Sequence, residues 1–178
     1  MLPDLVAAAE IIAQRVPGAQ FLIARAPYLD DSLFRYGPRR GLPDARVKIV
    51  EGETDTVLAS ASVALTASGT ATVQTALHDT PMVVVYKVSP LTYRFGRPLV
   101  NVDTFGMVNL IAGRKIVPEL IQDAFTPESV AAEAVSMLTD SRRVARIREG
   151  LALVRERLGG SGASRRAARA ILQVASRT

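Results

Sequence analysis

The sequence predicts an α/β fold, namely a doubly wound, mostly parallel sheet of the Rossmann-like type. Short runs that are apolar throughout, rather than alternating, are typical of parallel strands covered on both faces. These runs alternate with segments whose apolar residues recur at helical spacing, which is the order of βαβ units. At 178 residues, the chain is long enough to bury one core without disulfide bonds.

The first half of the chain carries the clearest pattern. Apolar residues at helical spacing predict a helix over residues 1–16, and Pro17-Gly18 ends it. The strands are predicted at residues 20–24, 47–50, 62–66 and 82–86, with helices at 54–60 and 70–78. Helix and strand therefore alternate up to Tyr86.

The pattern loosens beyond Tyr86. It predicts a helix over 90–98, a fifth strand over 99–102 and a short helix over 108–112 within an otherwise irregular segment at 103–118. Thr126 and Pro127 suit the cap and first position of a further helix, which continues with a break near Asp140. A Gly/Ser linker then precedes a last helix over 163–175. We expect one Rossmann-like domain over 1–158, followed by the linker and basic helix over 159–178.

The positive charge lies near the carboxyl end. From Asp140 onward ten arginines stand against three acidic residues, so this tail carries +7 while the whole chain carries +5. Such a tail is either a solvated or intramolecular face, or a surface for an anionic membrane or a partner subunit. The tail lacks aromatic–basic alternation, and we expect no nucleic-acid partner.

Composition also limits the chemistry. The chain has no cysteine and a single histidine, His78, so no Cys/His zinc cluster and no histidine-based triad is expected. His78 and Asp79 lie at the carboxyl end of the helix predicted at 70–78, about two turns from the loop that precedes this helix. Their position argues against acid/base catalysis at that loop. Asp30-Asp31 fits a helix start better than a metal site. No long apolar run or secretory leader is present, so a cytoplasmic location is expected.

The stretch ASGTATVQTAL at 67–77 is the first candidate site. Ligands of open parallel sheets bind at the carboxyl ends of strands, and Ser68, Gly69 and Thr70 follow such an end. A glycine permits close approach, and the free amides of the next helix favour an anion such as a diphosphate. The alternative is that Thr70 merely caps the helix, with Gly69 permitting the turn.

Further polar groups follow in the same region. Tyr86 and Lys87 end the next strand, and Asn109 lies in VNLIAGRKIVPELIQ at 108–122. Together with TPMVVVYKVSPLTY at 80–93, these stretches resemble the carboxyl-terminal half of the lipid-A-disaccharide synthase family, which are glycosyltransferases with two Rossmann domains (GT-B). The resemblance is ordered over residues 67–122, and the flanking helices fit the same second domain.

The resemblance implies a transfer of 2,3-diacylglucosamine from its UDP donor to 2,3-diacylglucosamine 1-phosphate (lipid X), giving lipid A disaccharide and UDP. The second domain of such folds holds the nucleotide, so Ser68, Gly69 and Thr70 would face the donor diphosphate. Gln74 would face the ribose, although the family commonly has glutamate there. A neutral amide offers the ribose no charged acceptor, so donor binding is expected to be weaker or different.

Other residues match the family pattern, and each has either a role in the donor site or a structural role. Asn109 would contact the donor sugar or phosphate, or else bond to its own backbone. Arg114 and Glu119 would line the site or form a structural ion pair beneath the loop. Tyr86 and Lys87 would line the site wall, although polar groups often end strands.

The resemblance also implies what this chain lacks. The family's chains are about twice as long, and the amino-terminal half supplies the acceptor site and the expected catalytic carboxylates. We expect a fragment that binds UDP without catalysing transfer, needs no metal or other cofactor, and contacts an anionic inner membrane surface. Helix exchange within a homodimer is a further expectation. The alternatives are half of a UDP-N-acetylglucosamine 2-epimerase-like enzyme, which VNLIAGR disfavours, and a non-catalytic Rossmann-type module.

Overall fold

The strands and helices follow the alternation that the sequence predicts. A computed structural model of the chain describes residues 1–34, 46–88, 104–160 and 162–176. Its strands are β1 (Phe21–Arg25), β2 (Val47–Glu51), β3 (Ala64–Ala67), β4 (Met82–Tyr86) and β5 (Glu119–Ile121). Its helices are α1 (Leu2–Arg15), α2 (Thr54–Ser60), α3 (Thr70–Leu77), α4 (Met107–Ala112), α5 (Pro127–Thr139), α6 (Ser141–Leu158) and α7 (Ala163–Ala175).

All strand pairings among the described residues are parallel. β1 pairs with β2, and a second ladder has the order β3-β4-β5. Because the strands of the second ladder run the same way, their carboxyl ends lie at one edge and the turns into α3 and α4 lie near it. Val84 pairs with Glu119 and Val85 with Ala67, which brings the segments after β3 and before β5 to the middle strand.

The core is centred on β4. Its four residues from Met82 to Val85 are fully buried, although successive side chains of a strand point to opposite faces. Both faces of this ladder are therefore covered, as expected for a doubly wound sheet. In contrast, β1 and β2 are only partly covered, since Leu22 is 45% exposed and Ile49 is 39% exposed.

Two groups of helices pack around the second ladder. α1 packs against α5, which also contacts β4, while α3 contacts both α4 and α6. α6 approaches the segment before β5 closely, because a Cβ on Gly150 would lie 2.7 Å from the Cβ of Ile116. Glycine is needed there for space, and any larger residue would push α6 away.

Helix capping agrees with the sequence in the second half. The Thr126 hydroxyl accepts a hydrogen bond from the amide of Ser129, and Pro127 is the first residue of α5. The predicted break falls at Asp140, whose carboxylate accepts hydrogen bonds from the amides of Arg142 and Arg143. These caps satisfy amides that lack partners inside their helices.

Some expectations differ from the structure or lie beyond it. No strand is predicted after the irregular segment at 103–118, but Glu119–Ile121 directly follows it, pairs with β4 and extends the ladder. The helix start predicted at Asp30-Asp31 is instead a short 3₁₀ helix at Asp31–Phe34. The helix predicted over 90–98 and the strand predicted over 99–102 lie outside the described residues.

Candidate functional site

The loop between β3 and α3 is the most distinctive element at the carboxyl edge of the sheet. β3 ends at Ala67, and α3 begins at Thr70 with Gly69 as the preceding residue. Gly69 has φ 139° and ψ −160°, a conformation that is essentially restricted to glycine. A Cβ at Gly69 would meet no atom within 4 Å, so the backbone angle, not crowding, requires glycine.

The start of α3 has no internal cap. No side chain of the described residues accepts a hydrogen bond from the first amides of α3, so the interpretation of Thr70 as a cap is wrong. Thr70 is instead the first helical residue, and both Thr70 and Ala71 are exposed. In the described part of the chain, the amides of Gly69, Thr70 and Ala71 donate to no acceptor. Three donors at the positive end of a helix therefore have no partner among the described residues, which is the arrangement that favours binding of an anion.

Hydrogen bonds hold this loop in position. The Ser68 amide donates to the Val85 carbonyl at 3.1 Å, and the Ser68 hydroxyl donates to the Phe105 carbonyl at 2.9 Å. Thr72, which is fully buried, donates from its hydroxyl to the Gly69 carbonyl at 2.7 Å. Because Ser68 is used on both its amide and its hydroxyl, it supports the loop more than it offers donors to a ligand.

A second segment, Phe105-Gly106, lies beside this loop and leads into α4. The Glu119 carboxylate accepts hydrogen bonds from the amides of Phe105 at 2.8 Å and Gly106 at 2.9 Å. The ion pair considered between Glu119 and Arg114 is not among the contacts of the described residues. Glu119 thus fixes the segment whose carbonyl accepts the Ser68 hydroxyl.

Asn109 is the centre of a buried polar network. Its side chain is fully buried, and its amide nitrogen donates to the Val117 carbonyl at 3.0 Å and to Glu119 Oε1 at 2.7 Å. Its oxygen accepts from the amides of Ile116 at 2.8 Å and Val117 at 3.1 Å. All four of its hydrogen-bonding positions are occupied, so the alternative of a structural asparagine fits the geometry, and a donor contact stays a prediction.

Gln74 lies next to a carboxylate that the sequence did not single out. Gln74 Nε2 donates to Asp55 Oδ1 at 2.9 Å, and His78 Nε2 lies 2.8 Å from the same oxygen. The hydrogen bonds from His78 and then Gln74 lower the pKa of Asp55 below its usual value. Asp55 is in the first turn of α2, so a neighbouring helix places a negative charge beside the neutral Gln74.

The remaining candidates do not all meet at the loop. Tyr86 ends β4 and is 38% exposed. Lys87 lies 3.8 Å from a carboxylate oxygen of Asp4 and 5.8 Å from the ring centre of Phe125, on the side of α1. Arg114 follows α4 and lines a different recess, with residues of α5 and α6. A role of these three residues in donor binding stays a prediction.

The His78-Asp79 and Asp30-Asp31 pairs of the sequence form contacts with other residues of the chain rather than a catalytic or metal site. His78 contacts Asp55, whereas Asp79 accepts a hydrogen bond from Arg155 at 2.7 Å. Asp31 pairs with Arg25. Hydrogen bonds from the Ser32 side chain and then from the Ser32 amide, which lies 2.7 Å from the Asp30 carboxylate, lower the pKa of Asp30. Within the described ranges, no group of three or more His, Asp or Glu side chains could hold a metal ion.

The basic tail divides into two parts. On α6, Arg143 pairs with Glu133, while Arg155 contacts Asp79 and Arg157 donates to the Ile111 carbonyl at 2.7 Å. In contrast, α7 is exposed along its length, including Ile171 at 68% and Leu172 at 67%. None of the helices in the part of the chain that the structure describes could cross a membrane.

Several residues of this region were missed by sequence reasoning. Asp55, Phe105 and Thr72 contact the candidate residues only after folding, and Gln122 holds Val88 by accepting its amide proton at 2.7 Å. Gln122 has a positive φ of 52°, which is uncommon for a residue other than glycine. The pairing of β5 with β4 brings Gln122 to Val88, which spacing alone does not indicate.

Comparisons with known proteins agree with this architecture. The family model described as lipid-A-disaccharide synthetase matches residues 1–174. Lipid-A-disaccharide synthase of Syntrophus aciditrophicus strain SB is 41% identical over 168 residues, which cover 94% of this chain and 44% of that relative. The synthases of Geobacter metallireducens and Geobacter sulfurreducens are 38% and 36% identical, each over 98% of this chain and 45% of the relative.

The matches cover nearly all of this chain but under half of each of these relatives. The described parallel ladders flanked by helices are the Rossmann-like α/β arrangement expected of half a GT-B glycosyltransferase. The resemblance inferred from ASGTATVQTAL and VNLIAGR is confirmed by the family match over both stretches. The chain therefore belongs to the lipid-A-disaccharide synthetase family.

Proposed function

We propose that this chain is the donor-binding half of a glycosyltransferase of lipid A biosynthesis. The reaction would transfer 2,3-diacylglucosamine from UDP-2,3-diacylglucosamine to 2,3-diacylglucosamine 1-phosphate, releasing UDP. The observation that carries the proposal is the uncapped start of α3, where the amides of Gly69, Thr70 and Ala71 have no acceptor among the described residues of a chain of this family.

The donor diphosphate is assigned to the loop of Ser68, Gly69 and Thr70. The amides of Gly69, Thr70 and Ala71 supply donors, and the partial positive charge of the helix end adds to their attraction for phosphate oxygens. Ser68 keeps the loop attached to Phe105 and β4. The assignment is supported by backbone geometry, so it needs no lysine or arginine at the loop.

The donor ribose is assigned to Gln74. Because Asp55 accepts a hydrogen bond from the amide nitrogen, the Gln74 oxygen is left to accept from a ribose hydroxyl. Asp55 provides, from α2, a carboxylate next to the position where the family commonly has glutamate. Tyr86 and Lys87 are kept as further candidates for the site wall, and Glu119 and Asn109 as residues that position it. Arg114 is no longer assigned to this wall, because it lines a different recess with residues of α5 and α6.

Transfer itself is assigned to the whole protein and not to this chain alone. The chain spans less than half of the relatives it matches, and the family resemblance assigns the expected catalytic carboxylates to the amino-terminal half. The missing amino-terminal half would complete the cleft and bind the acceptor. The proposal includes no metal or cofactor, since the family resemblance is to enzymes that work without one.

The exposed α7 helix is proposed to dock on a partner surface. It has apolar residues such as Ile171 and Leu172 on an otherwise arginine-rich helix, behind the glycines at 159–162. Its docking surface would be the missing half or a second copy that exchanges this helix. Its arginines are also suited to an anionic membrane, on the cytoplasmic face where lipid A precursors are assembled.

Calorimetric titration of the full chain with UDP and with UMP tests the proposal. We expect UDP to bind at least about tenfold more tightly than UMP, because only UDP places a diphosphate over the α3 amides. Gly69→Ala should abolish this selectivity, since alanine strains the required backbone angle. Gly18→Ala is the matched control, because Gly18 also has a positive φ and open space around its Cα.

The same titration separates the alternatives. A folded chain with no affinity for UDP would contradict the proposal and favour a non-catalytic module. An epimerase-like half predicts that UDP-N-acetylglucosamine binds much more tightly than UDP, with contacts to the N-acetyl group. We expect instead that the nucleotide and diphosphate supply most of the affinity of this half.

A further inference from the structure

A recess of about 480 Å³, which Arg114 lines, lies away from the Gly69 loop. It is formed by the segment between α4 and β5, by Glu133 of α5 and by the first turns of α6. The residues lining it are Arg114, Lys115, Ile116, Val117, Pro118, Glu133, Arg143, Arg146 and Ile147. The segment at 114–118 runs into the amino end of β5, so the recess lies toward the edge of the sheet opposite the loop after β3.

The lining of this recess has a strong charge imbalance. It contains four cations and one carboxylate, and Glu133 is already paired with Arg143. Among the described residues, Arg114, Lys115 and Arg146 have no acidic partner. Like charges around a concave surface repel one another and raise the local positive potential, which a bound anion relieves.

The walls of the recess are held rigidly. Asn109 accepts hydrogen bonds from the amides of Ile116 and Val117, and Gly150 lets α6 pack directly on Ile116. Val117 and Ile147 are buried and form an apolar floor. A preformed site loses less entropy on binding, so its cations are already placed for a ligand.

We propose that this recess binds the phosphate group of an organic anion. Arginine and lysine are the side chains that recognise phosphate, and a volume within the range of about 300–1,000 Å³ suits a molecule larger than a bare ion. The ligand is the phosphate of a lipid headgroup or of a soluble phosphate ester, which share the same charged group. The inference does not depend on donor binding at Gly69.

NMR titration of the ¹⁵N-labelled full chain with glycerol 3-phosphate and with inorganic phosphate tests this site. We expect saturable shifts at the amides from Gly113 to Val117, with glycerol 3-phosphate binding more tightly than inorganic phosphate. Shifts at Gly69 report the donor loop separately, so the two sites are distinguished within one spectrum. Saturation at Gly69 alone would overturn the proposal.

A double variant and a matched control locate the charge requirement. Lys115→Gln/Arg146→Gln should weaken glycerol 3-phosphate binding about tenfold or more, because two charge-assisted contacts are lost. Arg15→Gln/Lys48→Gln removes the same charge from exposed positions on α1 and β2 and should leave binding unchanged. Far-ultraviolet circular dichroism and thermal melting check that both variants fold. An equal loss in both variants would overturn the proposal, since a diffuse charge effect would explain it.

Vesicle sedimentation identifies the source of the phosphate. Wild type and both double variants are compared on phosphatidylcholine vesicles with and without phosphatidylglycerol. Binding to the anionic vesicles that falls only in Lys115→Gln/Arg146→Gln assigns the recess to a lipid headgroup. Vesicle binding that is equal in all three chains, with glycerol 3-phosphate binding retained in wild type, assigns it to a soluble phosphate ester. If neither ligand depends on Lys115 and Arg146, the proposal is wrong.

Discussion

The starts of α3 and α4 lie side by side at the carboxyl edge of the sheet. They differ in whether the backbone amides at the start have an acceptor within the chain. The start of α3 after Gly69 has no acceptor within the described residues. Beside the start of α4, the Glu119 carboxylate accepts the amides of Phe105 and Gly106. The difference teaches that the amides of Gly69, Thr70 and Ala71 are left to a ligand, whereas a side chain of the same chain already accepts the amides of Phe105 and Gly106.

Asn109→Ala is expected to have the largest effect on this comparison. It removes the partner of two backbone amides and one carbonyl in a buried site, which should lower the free energy of unfolding by about 3 kcal/mol. Denaturant unfolding measures the change, with Gln14→Ala on the exposed face of α1 as control. A variant as stable as wild type that no longer binds UDP would instead make Asn109 a donor contact.

Glu119→Ala removes the acceptor beside the start of α4. The amides of Phe105 and Gly106 and the side chain of Asn109 would each lose a partner, at a cost of about 2 kcal/mol. Since Ser68 is attached to Phe105, UDP affinity should fall as well, but less than in Gly69→Ala. Thermal unfolding and UDP titration of the same sample measure both quantities. Unchanged stability would show that the α4 start does not need this carboxylate.

Thr72→Val tests the connection between the two helix starts. Its hydroxyl donates to the Gly69 carbonyl and lies 3.4 Å from the Val108 amide, which donates to it. The nearly isosteric valine should cost about 1 kcal/mol of stability, because the bond to the Gly69 carbonyl and the longer one from the Val108 amide are lost while packing is retained. Denaturant unfolding gives this value. A loss as large as that in Asn109→Ala would mean that the two starts form one inseparable unit.

Gln74→Glu should have the smallest effect, a change in the pKa of Asp55 near the start of α3. The amide nitrogen that donates to Asp55 becomes a like charge, so the lowered pKa of Asp55 should rise toward or above its usual value. In wild type, the stabilising contacts of Asp55 are present above its unfolded pKa of 3.8 and are lost as pH falls through its lower folded pKa.

NMR titration of the Asp55 carboxyl carbon in wild type and Gln74→Glu measures this shift. His78→Gln is the companion variant, because it replaces the other donor with an amide that can still donate. An Asp55 pKa that stays equally low in Gln74→Glu would show that His78 alone sets it.

Local sequence signals predicted the fold to a large extent. The bounds of α2, β4 and α7 agree with expectation, because Thr54, Met82 and the glycines before Ala163 mark clear changes of pattern. The sequence does not predict β5, because three residues are too few to show the alternation of side chains along a strand. The charged Glu119 also interrupts what would otherwise be an apolar run. The family match confirms the fold class and the resemblance, which rested on ordered motifs over residues 67–122.

The candidate site was harder to predict, because several of its contacts join residues distant in sequence. The position of Gly69 directly after a strand identifies it as a candidate in the sequence. The hydrogen bonds that the Ile116 and Val117 amides donate to Asn109, however, depend on how the chain enters β5. Asp55 reaches Gln74 only because α2 and α3 lie side by side in the folded chain. Charge and spacing identify such residues as polar, but tertiary packing decides whether they face a ligand or one another.

The most direct measurement of the central claim is the response of backbone amides to UDP in the ¹⁵N-labelled full chain. The account predicts saturable downfield shifts at Gly69, Thr70 and Ala71, because their free amides would donate to the diphosphate. The amides of Phe105 and Gly106 should move little, since Glu119 already accepts them. Saturable shifts at Phe105 and Gly106 with none at Gly69, Thr70 and Ala71 would contradict the account.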